Sequence, residues 1–485
     1  PQDSGTKSCP ITYAAYPGEK PVLSGGVPVT EWRKLDDPPV NLPEVARGKV
    51  WVADVSFVRE LKAKQAPPAS MTTQLDRGWR FFTLYDGDRR LPRARGTGFN
   101  QSQSVPRGAP DDRRTAHFPP GAVRNWPGLR DAELAIIPSY FWVSNILPIE
   151  SVDEAAGVLR TTVPGTYPLG RNGITDRPTA WVENVLEVLD EPGEWVLEAE
   201  NAKLYLWPVG GESLPRPDRE DEGGGQPPLR PYRGKDSPPT GIVVPLLTEL
   251  IRVEGKIDYD GPTDTTVRNL VFRGLTFTHG DRFPWHGGTG WGLQHDWERF
   301  DSPTALLRLR GAENCVVEDC HFVNSGSTGI RLDLHCRRNR LVGNHLERLG
   351  GVGILLCGYG PGTKDVNREN EVANNYVHHT GELYWGSPAV FAWQSGGNRI
   401  AHNHIHHIPY TGICVTGRIG WDPKGVGECS RTVRWQETGI DPSKGVPGMS
   451  GQEREKWLHG RSNLVERNDI HNAMQVTGDG NCIYV

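Results

Sequence analysis

At 485 residues and 53.7 kDa the chain is long enough for two or three domains and a large core. A formal net charge of −5, a pI near 6.3 and a mean hydropathy of −0.53 leave no basic footprint for nucleic acid and no run suited to a membrane span. The 58 Gly and 40 Pro suit turn-rich β structure, and the eight Cys lack metal-finger spacing, so they read as buried thiols.

In chain order, residues 1–47 hold two short strands around a Pro17-Gly18 turn, as the first coils of a β-helix would. Residues 48–208 alternate with period two. Asp86-Gly87 marks a hairpin, and strands are expected from Trp181 and from Glu194 to Trp207, giving an inserted antiparallel, sandwich-like β domain. Residues 209–241 are a polar Gly/Pro-rich loop. Residues 242–485 read as the main body of the helix, with long excursions at 281–303 and 418–462. Both ends read as cut. The chain opens on Pro1 without an export leader, and Val485 falls in mid-strand, so a secreted or periplasmic protein continuing beyond both ends is expected.

That body carries a strict rule, Asn-x-apolar-x-x-Asn-x-apolar. It runs at Asn339–Leu346, Asn370–Val377, Asn398–Ile405 and Asn463–Ile470, and more loosely from Asn269 and Asn314. Asn tolerates the left-handed backbone of a tight corner, and stacked side-chain amides can bond from coil to coil. The rule predicts an all-β fold, a right-handed parallel β-helix carrying the inserted domain.

Equivalent positions on adjacent coils lie about 4.8 Å apart, so one outward column forms a row of charges and rings. After the Gly329-Ile330 landmark, Ile330, Leu332 and Leu334 should point inward and Arg331, Asp333 and His335 outward. Phe391 and Trp393 share that outward face, which suggests a sugar-binding cleft. Glu382 and Asp479, in Gly-containing loops feeding the face about two coils apart, are the candidate catalytic pair, with Asp333 in reserve. Candidate substrate contacts are Arg331, His335, Trp385, Trp393, His407 and Tyr410, with Trp291 and Trp297 from the 281–303 loop. His378, His406 and His471 share one slot of three repeats, so they read as stacked rungs. Neither a metal nor a cofactor is expected.

His402-Asn-His-Ile-His-His-Ile-Pro-Tyr-Thr-Gly-Ile413 and Gly478-Asp-Gly-Asn-Cys-Ile-Tyr484 resemble secreted bacterial β-helix proteins of glycoside hydrolase family 141. Arg90-Leu-Pro-Arg-Ala-Arg95 and Glu191–Pro208 look like the inserted β domain shared with family 120. The resemblance covers most of the chain and implies hydrolysis of plant or algal polysaccharide, of the α-L-fucosidase or xylan-directed type. It carries an Asp onto Asp479, while Asn472, Asn481 and Cys482 depart from the family-like stretch. Two other readings stand beside it. One is a polysaccharide lyase, with Arg308 or Arg331 neutralising a uronate and Lys364 as base. The other is a non-catalytic glycan-binding or structural β-helix.

Overall fold

A computed structural model describes residues 2–64, 78–209, 237–259, 261–283, 304–417, 432, 434–439, 441 and 450–485. Three parallel sheets wind around one axis as a right-handed β-helix, each with a path of seven strands. The first sheet runs from Ile11–Ala14 through Leu270–Arg273 and Arg340–Val342 to Leu464–Glu466. The second runs from Val22–Ser24 through His321–Ser325 and Tyr376–His378 to Asp469–His471. The third runs from Ile251–Glu254 through Thr328–Arg337 and Val390–Trp393 to Ile483–Tyr484.

Inside, every second residue packs into an apolar column: Leu307, Ile330, Ile354, Val390 and Ile413 are fully buried and register coil on coil. Phe277 and Phe322 stack in this core at 4.7 Å and 3°. Cys315, Cys320 and Cys336 sit there too, filling space as small apolar side chains. Gly353 is required by close approach: a Cβ would lie 2.6 Å from the Ala389 carbonyl of the next coil.

The asparagine rule becomes two hydrogen-bonded ladders. Asn339 Nδ2 donates to Asn370 Oδ1 (3.1 Å), Asn370 to Asn398 (3.2 Å) and Asn398 to Asn463 (2.8 Å). Asn344, Asn375, Asn403 and Asn468 repeat this at 3.0, 2.9 and 2.8 Å. Each Oδ1 also accepts a backbone N–H from the preceding coil, as Asn370 does from Asn339, so buried polar groups are satisfied coil after coil. One expectation needs correcting. The ladder residues are not the left-handed ones; the residue before each is, at Arg338, Glu369, Gly397 and Ser462. Asn269 and Asn314 occupy that corner slot, with φ of 56° and 54°. Cys315 and Cys320 therefore stand where the ladders would continue, and their N–H groups donate to Asn339 and Asn344 Oδ1. This explains the one-residue displacement of the loose repeats.

Strands Gly26–Pro28 and Trp32–Lys34, within the segment expected to form only first coils, join antiparallel sheets. Among the described residues there are three such sheets, with five, four and four strands. The Asp86-Gly87 hairpin joins Leu84–Asp86 to Arg89–Leu91, and Trp195–Glu198 pairs with Lys203–Leu206. The strand expected from Trp181 is short, Ala180–Glu183, and gives way to a 3-10 turn at Leu186–Val188. A helix, Ser56–Ala63, interrupts the alternation.

The outward column of the third sheet is covered. Arg308, Arg331 and Asp333 have no exposed surface: Asp333 accepts from Arg331 Nε at 2.5 Å and from Arg308 Nη1 at 3.5 Å, while Arg308 Nε donates to Glu249 at 2.6 Å. Beside them Leu355, Cys357, Phe391, Trp393 and Cys414 form an apolar cluster on which Ile257, Tyr259 and Val366 pack. Leu334, expected inward, joins this outer cluster because its left-handed φ of 56° and a register shift turn it out, and Cys336 takes its place in the core.

Candidate active site

The loops that carry the second sheet into the third form one corner of the helix: 379–389, 407–412 and 472–482, on successive coils. Glu382 lies in the first and Asp479 in the third, so both occupy the same corner two coils apart. The loops touch: Thr477 Oγ1 donates to the Pro409 carbonyl (3.0 Å) and reaches that of Trp385 (3.3 Å).

Glu382 is half-buried. Its Oε2 accepts from Arg90 Nη2 at 2.6 Å, and its Oε1 lies 3.5 Å from Arg348 Nη1. Arg90 comes from the Arg89–Leu91 strand, so this carboxylate also ties the antiparallel region to the helix corner. Asp479 is exposed, in a left-handed turn (φ 59°) whose carbonyl accepts from the Tyr410 hydroxyl at 3.0 Å. Burial raises the Tyr410 phenol well above its ordinary range, so it remains a donor. The flanking glycines are needed: a Cβ on Gly478 would strike the Phe141 ring, and one on Gly480 would lie 2.7 Å from the Tyr410 ring.

Facing the corner is an aromatic wall from the antiparallel region. The Phe141 carbonyl accepts from Gly478 N–H at 3.3 Å, and the residue is 40% exposed, large for a Phe. Behind it Tyr140, Trp142 and Tyr167 cluster with centroids 4.6 to 5.4 Å apart. Trp385 meets Trp181 edge-on at 5.6 Å, and Arg95, ion-paired to Glu183, lies over both rings. Arg177 donates to the Val476 carbonyl. Half-exposed rings beside an exposed carboxylate can stack on sugar C–H faces while the acid reaches a glycosidic oxygen.

The other expected site residues divide. Tyr410 and Trp385 lie at this corner. His407 lies there too, stacked on His379 at 5.1 Å and 2.6 Å from His406 through their Nδ1 atoms. Asp333, Arg331 and Trp393 are corrected: all three are fully buried in the covered face, so no substrate reaches them. His335 is engaged between Asp264 (3.1 Å) and Glu313 (2.9 Å) under the same cover. Trp291 and Trp297 lie outside the described residues. The lyase residues fare no better, since Lys364 is buried and bonded to Asp264 at 2.9 Å, and Arg308 is paired as above. Sequence reasoning missed the aromatic wall. Its signal was the consecutive triplet Tyr140-Phe141-Trp142.

The histidine rungs form as expected. His378, His406 and His471 stack at 4.9 Å and within 8° of parallel. Burial, reinforced by neighbouring imidazoles, pulls His378 down to about 3. Burial pushes the adjoining Glu347 up, but the His321 hydrogen bond and the surrounding histidines outweigh it and hold it at about 2.

A family model described as the right-handed beta helix region matches residues 299–420. No curated protein matches the chain in sequence. Among solved structures, a glycoside hydrolase is 23% identical with a TM-score of 0.60, covering 86% of this chain and 70% of its own. XylC in complex with xylose is 11% identical with a TM-score of 0.37, covering 85% of this chain and 53% of its own. The first likeness is one of fold.

Proposed function

We propose that the chain is a glycoside hydrolase acting on a plant or algal polysaccharide, of the α-L-fucosidase or xylan-directed type. The observation that carries this reading is the meeting of an exposed acid, Asp479, with the half-exposed rings of Phe141, Trp385 and Trp181 at one corner, with Glu382 two coils away at the same corner. The resemblance of Gly478–Tyr484 to family 141 supports it. Glu382, already accepting from two guanidinium groups, serves as nucleophile or base, and Asp479 as proton donor. Two coils of separation, about 10 Å, lie nearer the roughly 6.5–9.5 Å used for inversion than the roughly 5 Å used for retention.

The test is release of reducing ends from a panel of fucosylated, xylan and uronate polymers. Asp479→Asn is expected to lower kcat/KM by about 10²–10⁴-fold, and Phe141→Ala to act mainly on KM. Full activity in both Asp479→Asn and Glu382→Gln would remove the assigned pair. Glycan retention on affinity gels without any reducing ends would make this a binding protein instead.

A further inference from the structure

The outward face of the second sheet gathers three imidazoles and a carboxylate that the proposed hydrolysis does not use. His321 and His345 are register partners on adjacent strands, with rings stacked at 4.6 Å and 14°. Glu347, two residues along, points to the same side as His345. His378 is the register partner of Glu347 on the next coil. Their donor atoms converge. His321 Nε2 is 3.0 Å from Glu347 Oε1, His345 Nε2 is 2.8 Å from His378 Nε2, and His378 Nε2 is 3.9 Å from Glu347 Oε2. The donors of His321, His345 and Glu347 all fall within 4.8 Å of one another.

We infer that His321, His345, Glu347 and His378 form a binding site for a divalent first-row transition-metal ion of the zinc type. Bonds of about 2.0–2.1 Å to tetrahedral zinc place neighbouring donors roughly 3.3 Å apart, and the three separations bracket that value. Two Nε2 atoms facing each other at 2.8 Å attract only if one carries a proton or a cation lies between them. The other nitrogen of His378 is already engaged, since its Nδ1 is 2.7 Å from His379 Nδ1. With the proton on that side, the Nε2 lone pair is presented to the cluster, as an outer partner does for metal-ligating histidines. An imidazole-rich set with one carboxylate suits zinc and its neighbours better than calcium or magnesium, which take oxygen.

The site also has an entrance. A cavity of about 360 Å³ is lined by His321, Glu347, Arg348, His279, Gly87 and Asp88. A second group on the same face, His404, His471 and Asp469, has its own close Nε2 pair at 3.1 Å, but His404 is 45% and Asp469 74% exposed. It provides the internal control.

The experiment uses the full chain, stripped with chelator, titrated with Zn²⁺ by calorimetry and with Co²⁺ by visible absorption. The expected result is one tight equivalent with intense tetrahedral Co²⁺ bands. Glu347→Gln and His345→Asn should each weaken binding at least tenfold, and His404→Asn should leave it unchanged. His321→Gln, at the end of the imidazole run, is the second variant should either of these fail to fold, with far-ultraviolet circular dichroism as the check. Absence of both heat and Co²⁺ bands overturns the inference. So does binding that is lost in His404→Asn or His471→Asn and kept in Glu347→Gln.

Discussion

On the third sheet the outward column Arg308, Arg331, Leu355 and Phe391 is closed to solvent, whereas on the second sheet His321, His345, Tyr376 and His404 stay partly open. Both are built by the same coil-to-coil repeat, and both mix rings with charge. The difference lies in the path the chain takes between strands. Excursions at 255–259, 261–265 and 358–367 fold back over the third sheet, bringing Tyr259, Asp264, Tyr359 and Lys364, while the second sheet's face keeps an open cavity. Alternation fixes which way a side chain points. It does not fix whether another part of the chain lies on top of it.

The sharpest way to break this contrast is Asp333→Ala. It strands the buried Arg331 and weakens the pairing of Arg308, so a loss of about 3–5 kcal/mol is expected in chemical denaturation. A neutral result would mean the third sheet's face is wet. Asn375→Ala, inside the second ladder, should cost about 1–3 kcal/mol because Asn344 N–H and Nδ2 lose a buried acceptor. Equal losses at Asn375 and Asn370 would show that both ladders work alike.

Acid sharpens the comparison further. Burial pushes the Asp264 carboxyl up, but hydrogen bonds from His335 and Lys364 outweigh it and hold it at about 2. An unfolded Asp titrates near 3.9, so between those values the unfolded chain holds the extra proton. The stability from this group is therefore complete above about pH 4 and is lost as pH falls through about 2. Lys364→Met should flatten the acid limb of a melting-temperature profile over that window; an unchanged limb would place the proton uptake elsewhere. Smallest of all, Arg340→Ala removes an exposed ion pair to Glu371 and should cost under about 1 kcal/mol in the same denaturation assay.

Much of the helix was legible because its signal is periodic. Asn339, Asn370, Asn398 and Asn463 do lie on one axis, and His378, His406 and His471 do stack, since a repeated slot has one fate in every coil. Single events were not legible. The left-handed turn at Leu334 moved one residue from core to cover. The corner placement of Asn314 shifted the ladder by one residue and left Cys315 in its place. At the candidate site, Glu382 and Asp479 could be placed on a common corner from repeat counting alone. The rings facing them come from residues 140–181, remote in sequence and without a repeat to announce them.

The chain leaves the helix and returns to it at a single point, where the Gly25 carbonyl accepts from Leu246 N–H at 2.8 Å. Ile11–Ala14 and Val22–Ser24 therefore pair with Leu270–Arg273 and Thr276–Thr278, far along the chain. During synthesis these two strands must wait for those partners until the whole antiparallel region between them has been made. That rung is thus sealed late, and a stalled nascent chain would expose its sticky edge to other copies.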